Sequence, residues 1–421
     1  MTQQVSAYVS VRGEDILAGQ LYSHRRRGAE SASFVYDDGY LARPDSYRLD
    51  PALPMLRGTL QTPAGQALFG GFADSSPDRW GRTLITRAER LRARQAGEAP
   101  RSLGEVDLLL GVRDDLRQGS IRFKRDGQGP FVATDETGVP QLTDLPALLD
   151  LAAMAVSDAA GYEELKRLVR AGSSLGGARP KVHVRDAAGR TAIAKFPSAN
   201  SDTWNVMAWE KTALDLAQAA GVDVTDSQLL SIGGRSVLVV DRFDRDADGE
   251  RIGFASAMTM LEARDGDTRS YLDIAEVIEE RSSSTTTDLR QLWRRMAFMV
   301  LISNTDDHLR NHGFLHDRGE SWRLSPAFDL NPDPEPGATY LSTAIDESDT
   351  RASVELLMSV ADYFRLDRDG AVAVLREVVG VTSRWRDVAS HNGLNPAEVD
   401  MMVPAFEHTE AQEARGLVDA Q

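Results

Sequence analysis

The stretch NTDDHLRN, residues 304–311, follows directly behind the segment Leu289–Ser303, which contains the longest apolar stretch of the chain, Met296–Ile302. That segment is apolar nearly all round, which predicts a buried helix. Asp306 and Asn311 stand five residues apart, the spacing that separates the catalytic aspartate of kinases from their metal-binding asparagine. Asp329 follows within LSPAFDL. Because magnesium prefers oxygen ligands, Asn311 and Asp329 are candidate metal ligands, and Asp306 is a candidate base for a hydroxyl proton.

Two upstream segments have the composition of a phosphate-binding site. The segment AGSSLGGARPK, residues 171–181, carries glycines that let backbone N–H groups approach an anion, and Arg179 and Lys181 add positive charge. A lysine buried in a strand needs an anionic partner. Lys195 lies in the strand-like AIAKF, and Glu210, in the following helix, is the kind of acid that kinases pair with such a lysine. The alternatives are a flexible Gly/Ser turn and an edge-strand lysine with its ammonium in water.

The order of the predicted elements favours an α+β chain with a two-lobed, protein-kinase-like core. A strand hairpin, a single helix, a second hairpin and then a helical half is the order of a kinase small lobe followed by its large lobe, although many α+β folds share it. The expected divisions are residues 1–125 for an N-terminal α/β subdomain, 126–143 for a polar linker, 144–250 for the small lobe and 251–421 for the helical large lobe.

Local signals predict where several elements begin and end. SSPD at residues 75–78 predicts a helix that opens with its proline at the first helical position. Alternation within residues 181–196 predicts a β-hairpin, and Gly233-Gly234 predicts a tight turn in a second hairpin. Asp202 is expected to cap the helix that follows the first hairpin, and SSSTTT at residues 282–287 is expected to form a polar loop.

The composition limits the classes of partner and chemistry. The 421 residues include 48 Lys and Arg against 64 Asp and Glu, a net charge of −16. Such a surface repels DNA and anionic lipid, so contact with DNA is expected only locally or through a partner. The absence of cysteine excludes disulfides, thiolate metal sites and cysteine nucleophiles. The N-terminus lacks the pattern of a signal peptide and no apolar run is long enough to span a bilayer, so we expect a cytoplasmic protein without a membrane partner.

Five motifs in this order give the chain a family resemblance: GSSLGGARPK, AIAKFP, VVDRFDRD, NTDDHLRN and SPAFDL. The N-terminal segments ALFGGFADSSPDRWGR and LLLGVRDDLRQGSI add to it. Over most of residues 1–400 the chain resembles the HipA family of serine/threonine kinase toxins. The resemblance implies a kinase that uses ATP and Mg²⁺, restrained by a helix-turn-helix antitoxin of HipB type and touching DNA only through it. Some members of the family phosphorylate aminoacyl-tRNA synthetases.

The resemblance also implies a role for single positions. Asp306 would be the catalytic base, Asn311 and Asp329 would hold magnesium, and Ser174 would be autophosphorylated, which ejects the loop and switches the enzyme off. The implied ATP site comprises Gly176, Gly177, Ala178, Arg179, Pro180 and Lys181 in the phosphate loop, Lys195 with Glu210, Asp241 and Phe243 at the adenine, His308 at the phosphates, and Phe328 beside Asn311 and Asp329.

Some positions depart from the patterns of related kinases. The chain has no HRD or APE motif, and Asp329 is followed by Leu-Asn where protein kinases have DFG. These differences are shared with HipA-like kinases and argue against control by an activation loop. Asp307 stands where a glycine is common in the family.

Three other functions remain open from the residues alone. Small-molecule kinases such as antibiotic and choline kinases use the same spacing of Asp and Asn. A metal-dependent phosphohydrolase would use the acids and histidines of this region, namely Asp306, Asp307, His308, His312 and Asp329. It would not need Lys195, Glu210 or a glycine-rich loop. A catalytically dead binding module would not need the complete set of catalytic residues.

Overall fold

The structure is a computed structural model, and it describes residues 2–26, 28–134, 138–172, 177, 179–198, 202–335 and 339–420. The chain divides into two compact units. The first comprises Met1–Ser201, Val239–Ala255 and Leu315–Glu320, and the second comprises Asp202–Leu238, Ser256–Phe314 and Ser321–Gln421. Strands and helices occur in both units, which confirms the predicted α+β class.

An antiparallel five-stranded sheet opens the first unit. Its order is β4-β3-β2-β1-β5, with strands β1 Thr2–Val11, β2 Glu14–Arg26, β3 Ala29–Tyr36, β4 Thr59–Gln61 and β5 Ile121–Lys124. Val5, Ala7 and Val9 alternate with partly exposed or polar neighbours and are fully buried, because successive side chains of a strand point to opposite faces. The sequence alternation therefore identified β1 and its inner face.

Six helices accompany this sheet in the described part of the first unit. They are α1 Asp38–Leu41, α2 Gly70–Ala73, α3 Arg79–Ala96, α4 Glu105–Gly111, α5 Leu145–Val156 and α6 Tyr162–Ala171, with short 3₁₀ turns at Asp114–Leu116 and Leu142–Asp144. Phe72 of α2 covers the sheet, with its ring 5.3 Å from that of Phe34 and 5.8 Å from that of Phe123.

Helix α3 begins two residues later than the sequence predicted. The predicted first helical residue, Pro77, lies before the helix, and the capping residue is Asp78. The Asp78 carboxylate accepts a hydrogen bond of 2.7 Å from the Gly81 amide. That bond satisfies one of the amides that a helix start leaves without an intrahelical partner.

Both predicted hairpins are present. Strands β6 Lys181–Arg185 and β7 Thr191–Lys195 pair antiparallel, with Lys181 directly opposite Lys195. Strands β8 Ser227–Ile232 and β9 Arg235–Asp241 are neighbours joined by Gly233 and Gly234. Both glycines have positive φ, 56° and 77°, the conformation that a two-residue hairpin turn requires.

The second unit is mainly helical. Its helices are α7 Val206–Ala219, α8 Ala257–Met260, α9 Tyr271–Arg281, α10 Thr285–Leu301, α11 Val354–Ser359, α12 Arg368–Thr382, α13 Trp385–His391, α14 Pro396–Met401, α15 Val403–Phe406 and α16 Thr409–Asp419, with 3₁₀ turns at Leu309–Asn311 and Ala361–Phe364. Stacked rings of Trp385 and Phe406, 4.6 Å apart, join α13 to α15. None of the helices in the described ranges is long and apolar enough to cross a membrane.

Two predictions of element bounds in the second unit were wrong. Asn205 caps α7, by accepting a 3.2 Å bond from the Ala208 amide, whereas Asp202 was expected there. Helix α10 already begins at Thr285, so the second half of the predicted polar loop is its first turn. The three short strands β10 Phe254–Ser256, β11 Gly313–Arg318 and β12 Ser321–Leu324 were not predicted individually, and most of the region from residue 270 onward is helical, as expected.

Candidate active site

The loop behind α10 turns one of its two neighbouring aspartates outward and the other inward. Asp306 is exposed, whereas Asp307 has no exposed surface. The Asn311 side chain folds back onto the loop and donates a 2.9 Å hydrogen bond from Nδ2 to the Asp306 carbonyl. The backbone N–H of Asn311 also donates a 2.8 Å hydrogen bond to the His308 carbonyl. This leaves Asn311 Oδ1 as the atom of that side chain suited to a metal.

Asp307 anchors the loop in the interior of the second unit. Its Oδ2 accepts hydrogen bonds from the Tyr271 hydroxyl of α9 and from His312 Nε2, the latter at 3.0 Å. Its carbonyl accepts a 2.6 Å bond from the Thr343 hydroxyl, and the His312 carbonyl accepts a 2.8 Å bond from the Ala257 amide. The Asp307 side chain therefore stabilises the position of the loop. The sequence alone did not distinguish this role from that of Asp306.

The segment that carries Asp329 is hydrogen-bonded to the same loop, although it is distant in sequence. The Asn331 amide donates to Asn304 Oδ1 at 3.3 Å, and the Thr305 hydroxyl donates to Asp333 Oδ2 at 3.1 Å. Asp329 is half-buried and has a φ of 60°. A non-glycine residue at positive φ is uncommon and is maintained only where its surroundings enforce it. Phe328, the residue before it, is half-buried as well.

The donor set of this loop fits a hard metal ion and a phosphate group. Asn311 and Asp329 offer amide and carboxylate oxygens, the ligand type magnesium takes together with phosphates of a substrate. Asn304 Nδ2 and His308 Nδ1 are buried and have no hydrogen-bond partner within the part of the chain that the structure describes. Since buried polar groups are normally satisfied, these two atoms mark places for a bound molecule or water.

The described ranges contain no cluster of metal-binding side chains of the kind that a phosphohydrolase would need. There, no three His, Asp or Glu side chains come together in a way that could hold a metal. Two of the five residues required by that alternative, Asp307 and His312, bond to each other in the interior. The remaining Asp306, His308 and Asp329 do not form such a cluster.

The glycine-rich segment belongs to the first unit. Gly177 is exposed, Arg179 is half-buried, and Pro180 and Lys181 are buried where β6 begins. The predicted positions Gly176, Ala178 and Ser174 lie outside the described residues.

Lys181 is bound to a residue that the sequence did not suggest. Its Nζ lies 2.9 Å from Oδ2 of Asp78, the capping residue of α3, and the two side chains are only 6% and 5% exposed. Burial raises the pKa of the Asp78 carboxyl, although the Lys181 ammonium acts in the opposite direction. Helix capping could be read from the sequence around Asp78, but its contact with a lysine 103 residues away could not.

Lys195 and Glu210 fall in different units. Lys195 is the last residue of β7 and is half-buried. Glu210 lies within α7 of the second unit and is 2% exposed. Their pairing remains a prediction.

The segment predicted to contact adenine is anchored by the buried Arg242. Asp241 ends β9, with Arg190 Nη1 3.3 Å from its carboxylate, and the ring of Phe243 lies 6.1 Å from that of Phe254. Between these two positions, Arg242 points inward and makes a bidentate pair with Asp244, at 2.8 and 2.6 Å.

Arg242 and Asp244 are bonded to the loop that precedes β5. Arg242 donates to the carbonyls of Leu116 and Arg117, and Asp244 Oδ2 accepts a 2.8 Å bond from the Gly119 amide. The arginine environment lowers the pKa of the Asp244 carboxyl far below its usual range, in spite of burial. The motifs LLLGVRDDLRQGSI and VVDRFDRD are far apart in the sequence. These hydrogen bonds join them in the fold.

The family of the chain follows from its sequence matches. Residues 173–385, half of the chain, match the family described as "HipA-like C-terminal domain". The chain belongs to the HipA family. Residues 9–106 match the family's "HipA N-terminal domain". The family suggested by the motifs is confirmed, and the longer match includes the loop that carries Asp306.

Individual relatives of this HipA-family chain are distant. A protein of Sinorhizobium fredii named "Putative kinase Y4mE" is 26% identical over 70% of this chain and 71% of that protein. A second protein of that organism, Y4dM, is 29% identical over 34% of this chain and 37% of its own length. Among solved structures, the HipA of Shewanella oneidensis, in its complex with HipB and operator DNA, is similar with a TM-score of 0.62 at 15% identity, and the likeness covers 99% of this chain and 98% of that one. This likeness shows the shared fold, which confirms the predicted kinase-like fold class.

Proposed function

We propose that this HipA-family chain is an ATP- and magnesium-dependent protein serine/threonine kinase. One observation supports the proposal most strongly. The exposed Asp306 stands beside Asn311, whose Oδ1 is left for a metal, and hydrogen bonds tie this loop to the segment that carries Asp329. A base and two hard oxygen donors are the protein groups that phosphoryl transfer requires near the reacting phosphate.

In this mechanism Asp306 accepts the proton of the substrate hydroxyl as that oxygen attacks the terminal phosphate of ATP. Asn311 and Asp329 would hold magnesium, which when bound neutralises the charge of the phosphates. His308 would lie at the phosphates. Lys195, supported by Glu210, and the residues from Gly176 to Lys181 bind the phosphates, and the backbone at Asp241 and Phe243 binds adenine.

The biological setting is proposed from the family. The chain would act as the toxin of a toxin–antitoxin pair, with a helix-turn-helix protein of HipB type as its partner. The solved relative from Shewanella oneidensis is bound to HipB and operator DNA, and this chain would touch DNA only through such a partner. Its substrate would be a protein, for which an aminoacyl-tRNA synthetase is the family's precedent. Ser174 would be the site of autophosphorylation.

The decisive experiment is incubation of the purified chain with labelled ATP, with magnesium or with excess chelator. We expect label on protein serine in the magnesium sample alone, and Asp306→Asn should retain nucleotide binding while it loses transfer. Mass spectrometry then tests whether Ser174 carries the phosphate. Transfer to aminoglycosides or choline without protein labelling would contradict the proposal in favour of a small-molecule kinase, and zinc-dependent release of phosphate would contradict it in favour of a phosphohydrolase.

A further inference from the structure

The buried pair of Asp78 and Lys181 links the two regions matched by the family. Asp78 lies in the N-terminal match, residues 9–106, and Lys181 in the C-terminal match, residues 173–385. We propose that Asp78 is a positioning residue for nucleotide binding, which fixes the Lys181 ammonium beneath Gly177, a residue of the proposed phosphate loop. This inference rests on the proposed kinase function.

The first argument is electrostatic. Lys181 and Lys195 are directly opposite each other on the antiparallel strands β6 and β7, so their side chains leave the same face of the hairpin. Like charges at directly opposed positions repel, and burial strengthens the repulsion because the local dielectric constant is low. The Asp78 carboxylate, 2.9 Å from Lys181 Nζ, balances the charge of Lys181.

The second argument is steric. The Lys181 ammonium lies so close beneath Gly177 that a Cβ added to this glycine would be 3.1 Å from Nζ, and Gly177 has a φ of 105°. The Gly177 carbonyl also accepts a 3.4 Å hydrogen bond from the Trp80 amide, in the first turn of α3. The start of α3 therefore supports Gly177 both through the backbone and through the Asp78–Lys181 pair.

These contacts make the N-terminal subdomain part of the nucleotide site. Without the Asp78 charge, the buried Lys181 ammonium would lose the carboxylate that lies 2.9 Å from its Nζ, which is costly. The lysine would then shift toward water or toward the phosphates, and Gly177 would lose the group packed beneath it. Nucleotide affinity should fall, while the exposed Asp306 and its proton transfer should be unaffected once ATP is bound.

The test uses Asp78→Asn in the full chain. Asparagine caps helices about as well as aspartate, so α3 should be retained while the charge is lost. The matched control is Asp367→Asn, because Asp367 caps α12 by accepting a 2.8 Å bond from the Gly370 amide, as Asp78 does from Gly81. Calorimetry with Mg-ADP measures affinity, and transfer kinetics separate the KM for ATP from kcat.

For Asp78→Asn we expect the Kd for Mg-ADP and the KM for ATP to rise about tenfold, the effect of one charge-assisted hydrogen bond, with kcat nearly unchanged. Asp78→Glu should recover part of the affinity, and Asp367→Asn should bind as the parent does. If Asp78→Asn unfolds, Asp78→Glu provides the comparison, because it keeps the carboxylate charge but displaces it from Lys181, and its Kd for Mg-ADP should then exceed that of the parent.

Two results would overturn the inference but leave the kinase proposal intact. One is parental affinity in Asp78→Asn. The other is tighter binding, which would mean that Asp78 competes with the phosphates for Lys181. A parent chain that binds no nucleotide would overturn both proposals.

Discussion

Replacing the adjacent aspartates Asp306 and Asp307 one at a time should separate catalysis from stability. Asp306 is exposed and Asp307 is fully buried, although they are neighbours in the chain. Asp306→Asn should lower the rate of phosphoryl transfer about a hundred- to ten-thousand-fold, which is the usual contribution of a positioned base. It should leave the urea midpoint of unfolding unchanged. Asp307→Asn should mainly lower stability.

The magnitude for Asp307→Asn follows from its contacts. Its carboxylate accepts from the Tyr271 hydroxyl and from His312 Nε2. A hydrogen bond to a charged group contributes about 1.5–3 kcal/mol, and a neutral one about 0.5–1.5 kcal/mol. Asp307→Asn turns two hydrogen bonds to a charged group into two bonds to a neutral group. It should therefore lower the free energy of unfolding by about 2–3 kcal/mol. That is a large part of the 5–15 kcal/mol that is typical of a domain.

Urea unfolding followed by tryptophan fluorescence measures stability, and labelled ATP measures transfer by the folded protein. Some loss of transfer is expected for Asp307→Asn as well, because a displaced loop misplaces Asp306, but it should be smaller than for Asp306→Asn. The reasoning would be refuted by an Asp307→Asn protein as stable as the parent, or by an Asp306→Asn protein that unfolds at clearly lower urea.

Two further predictions concern metal and pH. Asn311→Ala should raise the magnesium concentration for half-maximal transfer at least about tenfold, since it removes an oxygen ligand; an unchanged magnesium titration would contradict this. His183, in β6, is 1% exposed, and burial lowers its pKa well below the usual 6.5. As the pH falls, His183 is therefore protonated in the unfolded chain before it is protonated in the folded one. The part of the free energy of unfolding that depends on neutral His183 is fully present above pH 6.5. It should be lost on acidification, by at most about 1.4 kcal/mol per pH unit. Urea midpoints between pH 8 and pH 5 should fall less steeply for His183→Gln than for the parent and for the exposed-site control His391→Gln; equal slopes would contradict the prediction.

The sequence by itself determined the elements whose signals are local. Alternation identified β1, the Gly233-Gly234 pair identified a hairpin whose turn needs positive φ, and the apolar run before residue 304 identified the buried helix α10. The spacing of Asp306 and Asn311 marked a candidate catalytic loop, and in the fold the Asn311 side chain donates a hydrogen bond to the Asp306 carbonyl. Each of these signals depends on residues within a few positions of one another.

The tertiary structure decided which polar residues contact one another over long distances. Nothing near Asp307 in sequence shows that it faces Tyr271 and His312 in the interior while Asp306 faces outward. Nothing near residue 78 shows that its carboxylate, besides capping a helix, holds Lys181. Periodicity reports which face of an element is buried, but the partner of a buried charge depends on which surfaces the fold brings together.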